Sequence, residues 1–239
     1  MAIRGVKTTL VAPLTVFRIV FGAMIFFSVI RFWYQGWIES LYIEPKYFFP
    51  FYGLEFIKPW GEYTYILFVV CACCALMLAL GMFYRIASIG LFLSFTYIEL
   101  MDKSTYLNHY YFVSLVCLML VFLPAHVYFS IDAYRNKNLL SDTIPAWCLT
   151  SLRLFVGLLY FFSFLAKLNS DWLLLAQPLK IWLPAKNDVP IIGFLFNYSW
   201  IPFVFSWFGC LYDLLIPFLL WNAKTRIWAY GAVVVFYSL

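Results

Sequence analysis

Seven continuous apolar runs divide this chain, at approximately residues 13–33, 63–82, 85–101, 107–128, 147–168, 199–221 and 226–239. Most approach the roughly 20 residues that an α-helix needs to cross a hydrocarbon core of about 30 Å. Strands of a membrane barrel would instead alternate apolar and polar residues in pieces of about ten. The runs do not alternate, so the expected fold is an all-α integral membrane protein, a helical bundle of about seven spans. Composition agrees: 65% of residues are hydrophobic and 11% are charged, against about a quarter charged in an ordinary soluble domain. Aromatic residues, with ten Trp and eighteen Tyr among them, suit rings that settle at headgroup depth.

The runs carry their own punctuation. The second stops at Gly81-Met82-Phe83-Tyr84-Arg85, where a glycine and then a cation mark a helix end. The fourth stops at Pro124-Ala125-His126, followed by the polar stretch from Asp132 to Asp142. Segments 40–60 and 172–184 are expected to lie at the interface, the first because Pro45, Pro50, Gly53 and Pro59 break it. The last run, Arg226 to Leu239, has fourteen residues, about 21 Å of helix. It is too short to span, so residues 1–239 are expected to be an N-terminal transmembrane domain of a longer chain.

Charge gives an orientation. One side of the membrane would hold Arg4, Lys7, Arg85, Arg135, Lys137, Lys224 and Arg226, opposed by Asp132 and Asp142 alone. The other side holds as many cations, but spread mainly over two long loops among eight acids. Density in short loops makes the first side cytoplasmic. The N-terminus is then inside, and Glu99, Asp102, Asn108, His109 and Lys167 fall on the extracytoplasmic face.

Several classes of site find no support. Cys71, Cys73 and Cys74 sit within one apolar run and read as small packing residues. The two histidines, His109 and His126, have no cysteine at ligand spacing, so no metal site is expected. A net charge of +5 without a basic tail gives no reason to expect nucleic acid. The expected surroundings are membrane lipid.

The candidate for chemistry is Lys167, in Phe164-Leu165-Ala166-Lys167-Leu168-Asn169-Ser170-Asp171-Trp172 at the end of the fifth run. A lysine held against hydrocarbon is costly in its charged form, and a neutral amine is a base. The plainer reading is an amine that reaches outward to the water interface. Arg153, Gly157, Tyr160, Phe164 and Lys167 follow four-three-four-three spacing and share one stripe of the helix. Arg153, at depth, is expected to form a structural ion pair with Asp213 in the sixth run, because an unpaired charge there is expensive. Arg18 lies at similar depth and could compete for the same partner.

A second segment is Met101-Asp102-Lys103-Ser104-Thr105-Tyr106-Leu107-Asn108-His109-Tyr110-Tyr111. With the lysine segment it resembles the vitamin K-dependent γ-glutamyl carboxylases and their bacterial relatives, the HTTM-domain membrane proteins. The resemblance runs in order along nearly the whole chain, through Phe17-Arg18, Asp102-Lys103-Ser104, Asn108-His109, Phe129-Ser130-Ile131-Asp132, Arg153, Tyr160, Lys167, Asp171-Trp172 and Asp213. It implies a membrane lyase that couples epoxidation of reduced vitamin K, an isoprenoid quinol, to carboxylation of glutamate, with O2 and CO2 as co-substrates. Lys167 falls where that family has the base that deprotonates the quinol. His109 falls on a histidine of the glutamate half-reaction, and Asn108 on a residue near the quinol. Tyr160, about two turns inside from Lys167, is a further candidate quinol contact. A second lysine often precedes the base in the family; here that position is Ala166. The implied partner is a glutamate-containing peptide or protein. The alternative is a non-enzymatic HTTM membrane partner for peptide maturation or export, in which Lys167 only anchors its helix.

Overall fold

The structure is a computed structural model that describes residues 7–186, 188 and 193–238. The chain divides into two compact units, residues 1–149 and 150–239. Among the described residues a helix lies in each of the seven apolar runs: α1 (Ala12–Tyr34), α3 (Thr64–Leu80), α4 (Tyr84–Leu100), α5 (Asn108–Phe122), α7 (Trp147–Lys167), α10 (Ile201–Trp221) and α11 (Arg226–Ser238). Short helices lie between them: α2 (Trp37–Tyr42), α6 (Ile131–Arg135), α8 (Ser170–Leu173) and α9 (Leu179–Trp182). Among the described residues, four helical segments are long and apolar enough to cross a membrane: Ala12–Tyr34, Gly61–Leu80, Trp147–Lys167 and Ile201–Trp221. The protein is therefore an all-α membrane protein.

In the first unit, α1 packs on α3, α3 on α4 and α4 on α5. Small residues set these approaches. A Cβ on Gly22 of α1 would lie 2.7 Å from the Ala79 nitrogen and 2.8 Å from the Ala75 oxygen, both backbone atoms of α3. On α4, a Cβ on Gly90 would lie 2.7 Å from the Cys74 Sγ. Where lipid is as apolar as the side chains, such close backbone approach replaces the hydrophobic effect as the source of packing. The opposite face of α1 carries Val16, Val20, Met24 and Phe27, all exposed, as a lipid-facing surface requires.

The helix ends show why the sequence punctuation was readable. Gly81 takes the left-handed conformation (φ 64°), and its N–H and that of Met82 bond back to Leu78 and Met77, closing α3 with a glycine cap. Asp132, in α6, then caps α4, its carboxylate accepting from the Phe83 and Tyr84 N–H groups at 2.9 and 2.8 Å. Arg18 is fully buried and donates to the Ala125 and Phe129 carbonyls at 3.1 and 2.7 Å. It thus holds the loop after α5. One element had no readable signal: β1 (Thr8–Leu10) pairs antiparallel with β2 (Thr143–Pro145), Thr9 opposite Ile144.

The second unit is built around α10. Helices α8, α9 and α11 pack against it, and Tyr160, Tyr212, Ile216 and Ala229 form its core. Pro217 lies inside α10. Having no N–H, it cannot donate to the carbonyl four residues earlier, which is that of Asp213. Leu154, Leu158, Phe161, Phe162 and Leu165 of α7 are exposed.

Candidate functional site

Lys167 is the last residue of α7. Side chains on a helix lean toward its N-terminus, and this one reaches back one turn, its Nζ donating to the Ser163 Oγ at 3.2 Å. It also forms an ion pair with the Asp213 carboxylate. The same oxygen, Oδ2, accepts from the Ser163 Oγ at 2.6 Å. Asp213 is buried, whereas the Lys167 side chain keeps 19% of its surface open. The amine therefore turns back along its own helix.

The following turn supplies the wall. Asn169 caps α8, its Oδ1 accepting from the Trp172 N–H at 2.8 Å. The Trp172 Nε1 donates to the Ser206 carbonyl at 2.9 Å, and the Ser206 hydroxyl donates to the Trp172 carbonyl. Locked in this way, the indole ring stands 5.4 Å from the Lys167 Nζ, within range of a cation–π interaction.

These contacts correct one expectation. Asp213 pairs with Lys167 and not with Arg153, which is exposed on α7. The two cations are fourteen residues apart, about 21 Å along the helix. The expectation set Arg153 and Asp213 at similar depth, each a couple of turns from the cytoplasmic edge. Instead, Ser206 lies beside Trp172, so α10 runs past the end of α7 and Asp213 sits a full depth away from Arg153. Tyr160 packs in the core edge-on to Tyr212, ring centroids 6.3 Å apart.

Asn108, His109, Glu99 and Asp102 belong to the first unit. Asn108 opens α5 and is exposed; His109, also exposed, lies edge-on to Tyr110 at 4.6 Å. Asp102 is buried, and its Oδ1 accepts from the Ser104 and Phe49 N–H groups at 2.9 and 3.3 Å. Its role is to fold the α4–α5 connection. Glu99 is buried with Oε2 accepting from the Ser114 Oγ at 2.5 Å. His109 and Glu99 both line one cavity of about 270 Å³. The Tyr42 hydroxyl, 3.5 Å from the Thr105 Oγ1, lines it too. Burial pushes the Tyr42 phenol above its ordinary value, against a smaller opposing pull from Thr105, so it remains a neutral hydrogen-bonding group.

Ser163 and Glu99 carry contacts that the sequence reading did not assign. Ser163 stands four residues before Lys167, the spacing of helical neighbours, and that relation was the available signal. A family model described as the HTTM domain matches residues 7–239. The chain belongs to the HTTM-domain family. No solved structure matches it.

Proposed function

We propose that this protein is a quinol-oxidising membrane enzyme in which Lys167 is the base. The HTTM domain is one found in the vitamin K-dependent carboxylase family, and by the sequence resemblance Lys167 would take the place of that family's base. The observation that carries the reading is the shared contact of Lys167, Ser163 and Asp213 at a single carboxylate oxygen.

An amine accepts a proton only when it is neutral, and a lone ammonium would be useless as a base. A paired carboxylate offers a way through: moving one proton along the Nζ–Oδ2 contact leaves a neutral amine beside a neutral acid. That internal transfer leaves the pair net neutral, as a buried site of low dielectric favours. Nζ is then free to take a proton from a bound hydroxyl. Its return to the charged form places a cation beside the oxygen that lost the proton. Ser163 holds Oδ2 in place during the exchange.

The residues fit a membrane-soluble quinol. The Lys167 side chain is partly open, and Trp172 supplies an apolar ring beside its amine. When bound, reduced vitamin K with O2 would supply the strong base that glutamate carboxylation with CO2 demands. By the same resemblance Asn108 and Tyr160 are proposed as quinol contacts and His109 for the glutamate half-reaction. The orientation proposed is cytoplasmic N-terminus with this chemistry on the extracytoplasmic side.

Membranes carrying the protein should convert vitamin K hydroquinone to its epoxide, and Lys167→Ala should abolish the conversion. Epoxidation that survives the substitution would overturn the role of the base. A second reading is favoured by the same ion pair: a non-enzymatic membrane partner in which Lys167 and Asp213 only join two helices. It predicts no epoxidation by the wild-type protein.

A further inference from the structure

In the first unit, the loop after α5 forms a groove against the end of a membrane-spanning segment. The Ser141 N–H donates to the Val127 carbonyl at 3.0 Å, which closes the loop on itself. The Asp132 N–H donates to the Gly81 carbonyl at 3.0 Å, which fastens the loop to the end of α3. The groove so fixed has a volume of about 650 Å³, within the range of about 300–1,000 Å³ typical of ligand sites. Leu80, the last residue of the segment Gly61–Leu80, forms one wall, and Phe129, Ile131, Tyr134 and Leu140 form the other. Leu80, Phe129, Tyr134 and Leu140 are all exposed. Phe129 takes the left-handed conformation (φ 44°), which is costly for a bulky residue. The backbone that brings its carbonyl to Arg18 leaves its ring 76% exposed.

The place of the groove names its occupant. It begins where a span ends, at the level where hydrocarbon gives way to headgroups, so the molecule that covers its apolar walls is a lipid. Charge then selects the lipid. Lys137 lines the groove, and Arg135, two residues earlier, holds its guanidinium 5.3 Å from the centre of the Phe83 ring. Among the described residues neither cation forms an ion pair. Asp132 commits both carboxylate oxygens to the N–H groups of Phe83 and Tyr84, and Asp142 is exposed and lies outside the lining. A lysine with its stem on apolar surface and its amine at headgroup level suits a phosphate. We propose that the groove holds one acidic phospholipid, with an acyl chain against Leu80, Phe129 and Leu140 and its phosphate paired with Lys137. The assignment rests on the chain being a membrane protein and does not depend on the chemistry of Lys167.

The test is native mass spectrometry of the purified full chain in detergent, titrated with dioleoyl phosphatidylglycerol or dioleoyl phosphatidylcholine. The two lipids share their chains and differ in net charge. The first phosphatidylglycerol should bind about fivefold more tightly than the first phosphatidylcholine, the scale of one lysine at an anionic surface. Lys137→Ala should erase this preference and Lys137→Arg should keep it. Leu140→Asp, which puts an acid in the groove, should lose the tight phosphatidylglycerol site. Lys137 and Leu140 are exposed, so these variants should melt as wild type does. Lys224→Ala removes an exposed lysine between α10 and α11 and should leave the preference intact. Glycerol phosphate in excess should not displace the lipid, because the apolar walls hold the chain. Equal affinity for the two lipids, or a preference that survives Lys137→Ala, would overturn the proposal. An equal loss in Lys224→Ala would show diffuse surface charge instead of a site, and displacement by glycerol phosphate would show a site for free phosphate; either result also overturns it.

Discussion

The Lys167 amine and the Asp213 carboxylate meet one helical turn inside the end of α7, with Ser163 bonded to the same carboxylate oxygen. Removing one charge strands the other, which costs about 2–4 kcal/mol for a pair that is partly buried. Lys167→Met and Asp213→Leu should each lower the thermal midpoint in detergent, and the double variant should regain most of the loss. Neither the single variants nor the double should epoxidise quinol. A double variant that regains stability and also shows activity would separate the pair from the chemistry.

Pro217 denies the Asp213 carbonyl its intrahelical partner. Pro217→Ala supplies the missing N–H, and proline in a helix interior is about 3 kcal/mol worse than alanine. The variant should melt higher than wild type. Because the restored bond ties up the carbonyl of the residue that pairs with Lys167, epoxidation should fall several-fold. Unchanged turnover would show that the proline is incidental to the site.

The α1–α3 contact at Gly22 is backbone against backbone. Gly22→Val should destabilise the first unit by about 2–3 kcal/mol, the range of overpacking. Gly90→Ala meets only the end of a cysteine side chain and should be milder, with Cys74→Ala relieving the remainder. Chemical denaturation of the purified protein measures both.

Asp132 accepts from two N–H groups at the start of α4. Asp132→Ala should cost about 1–2 kcal/mol through the lost cap and its favourable charge at the helix N-terminus. Amide hydrogen exchange should quicken first at Phe83 and Tyr84.

The helices were legible because a span must be long, continuous and apolar, and that constraint writes itself into sequence without regard to tertiary contacts. Gly81 as a stop was legible for a similar reason: the left-handed cap nearly demands glycine. The partner of Asp213 was not. Choosing between Arg153 and Lys167 depends on how far α10 slides along α7, and residue spacing within one helix says nothing about the offset between two. The serine between them was hidden by its ordinariness, since Ser163 is one hydroxyl in an aromatic run and gains meaning only beside Lys167 and Asp213. Glu99 shows the converse. Its acidity inside an apolar segment was visible, but not that Ser114 of α5 would bond to it.

The pairing of Thr8–Leu10 with Thr143–Pro145 carries a parity rule. Two strands bonded to each other cannot lie on opposite sides of a bilayer, because no open backbone edge survives in hydrocarbon. The chain must therefore cross an even number of times between residues 10 and 143. With α1 and α3 long enough to cross, the shorter helices α4 and α5 must either both traverse the membrane or both remain on one side of it. A single topology reporter placed between α4 and α5, at Lys103, would decide for the pair together.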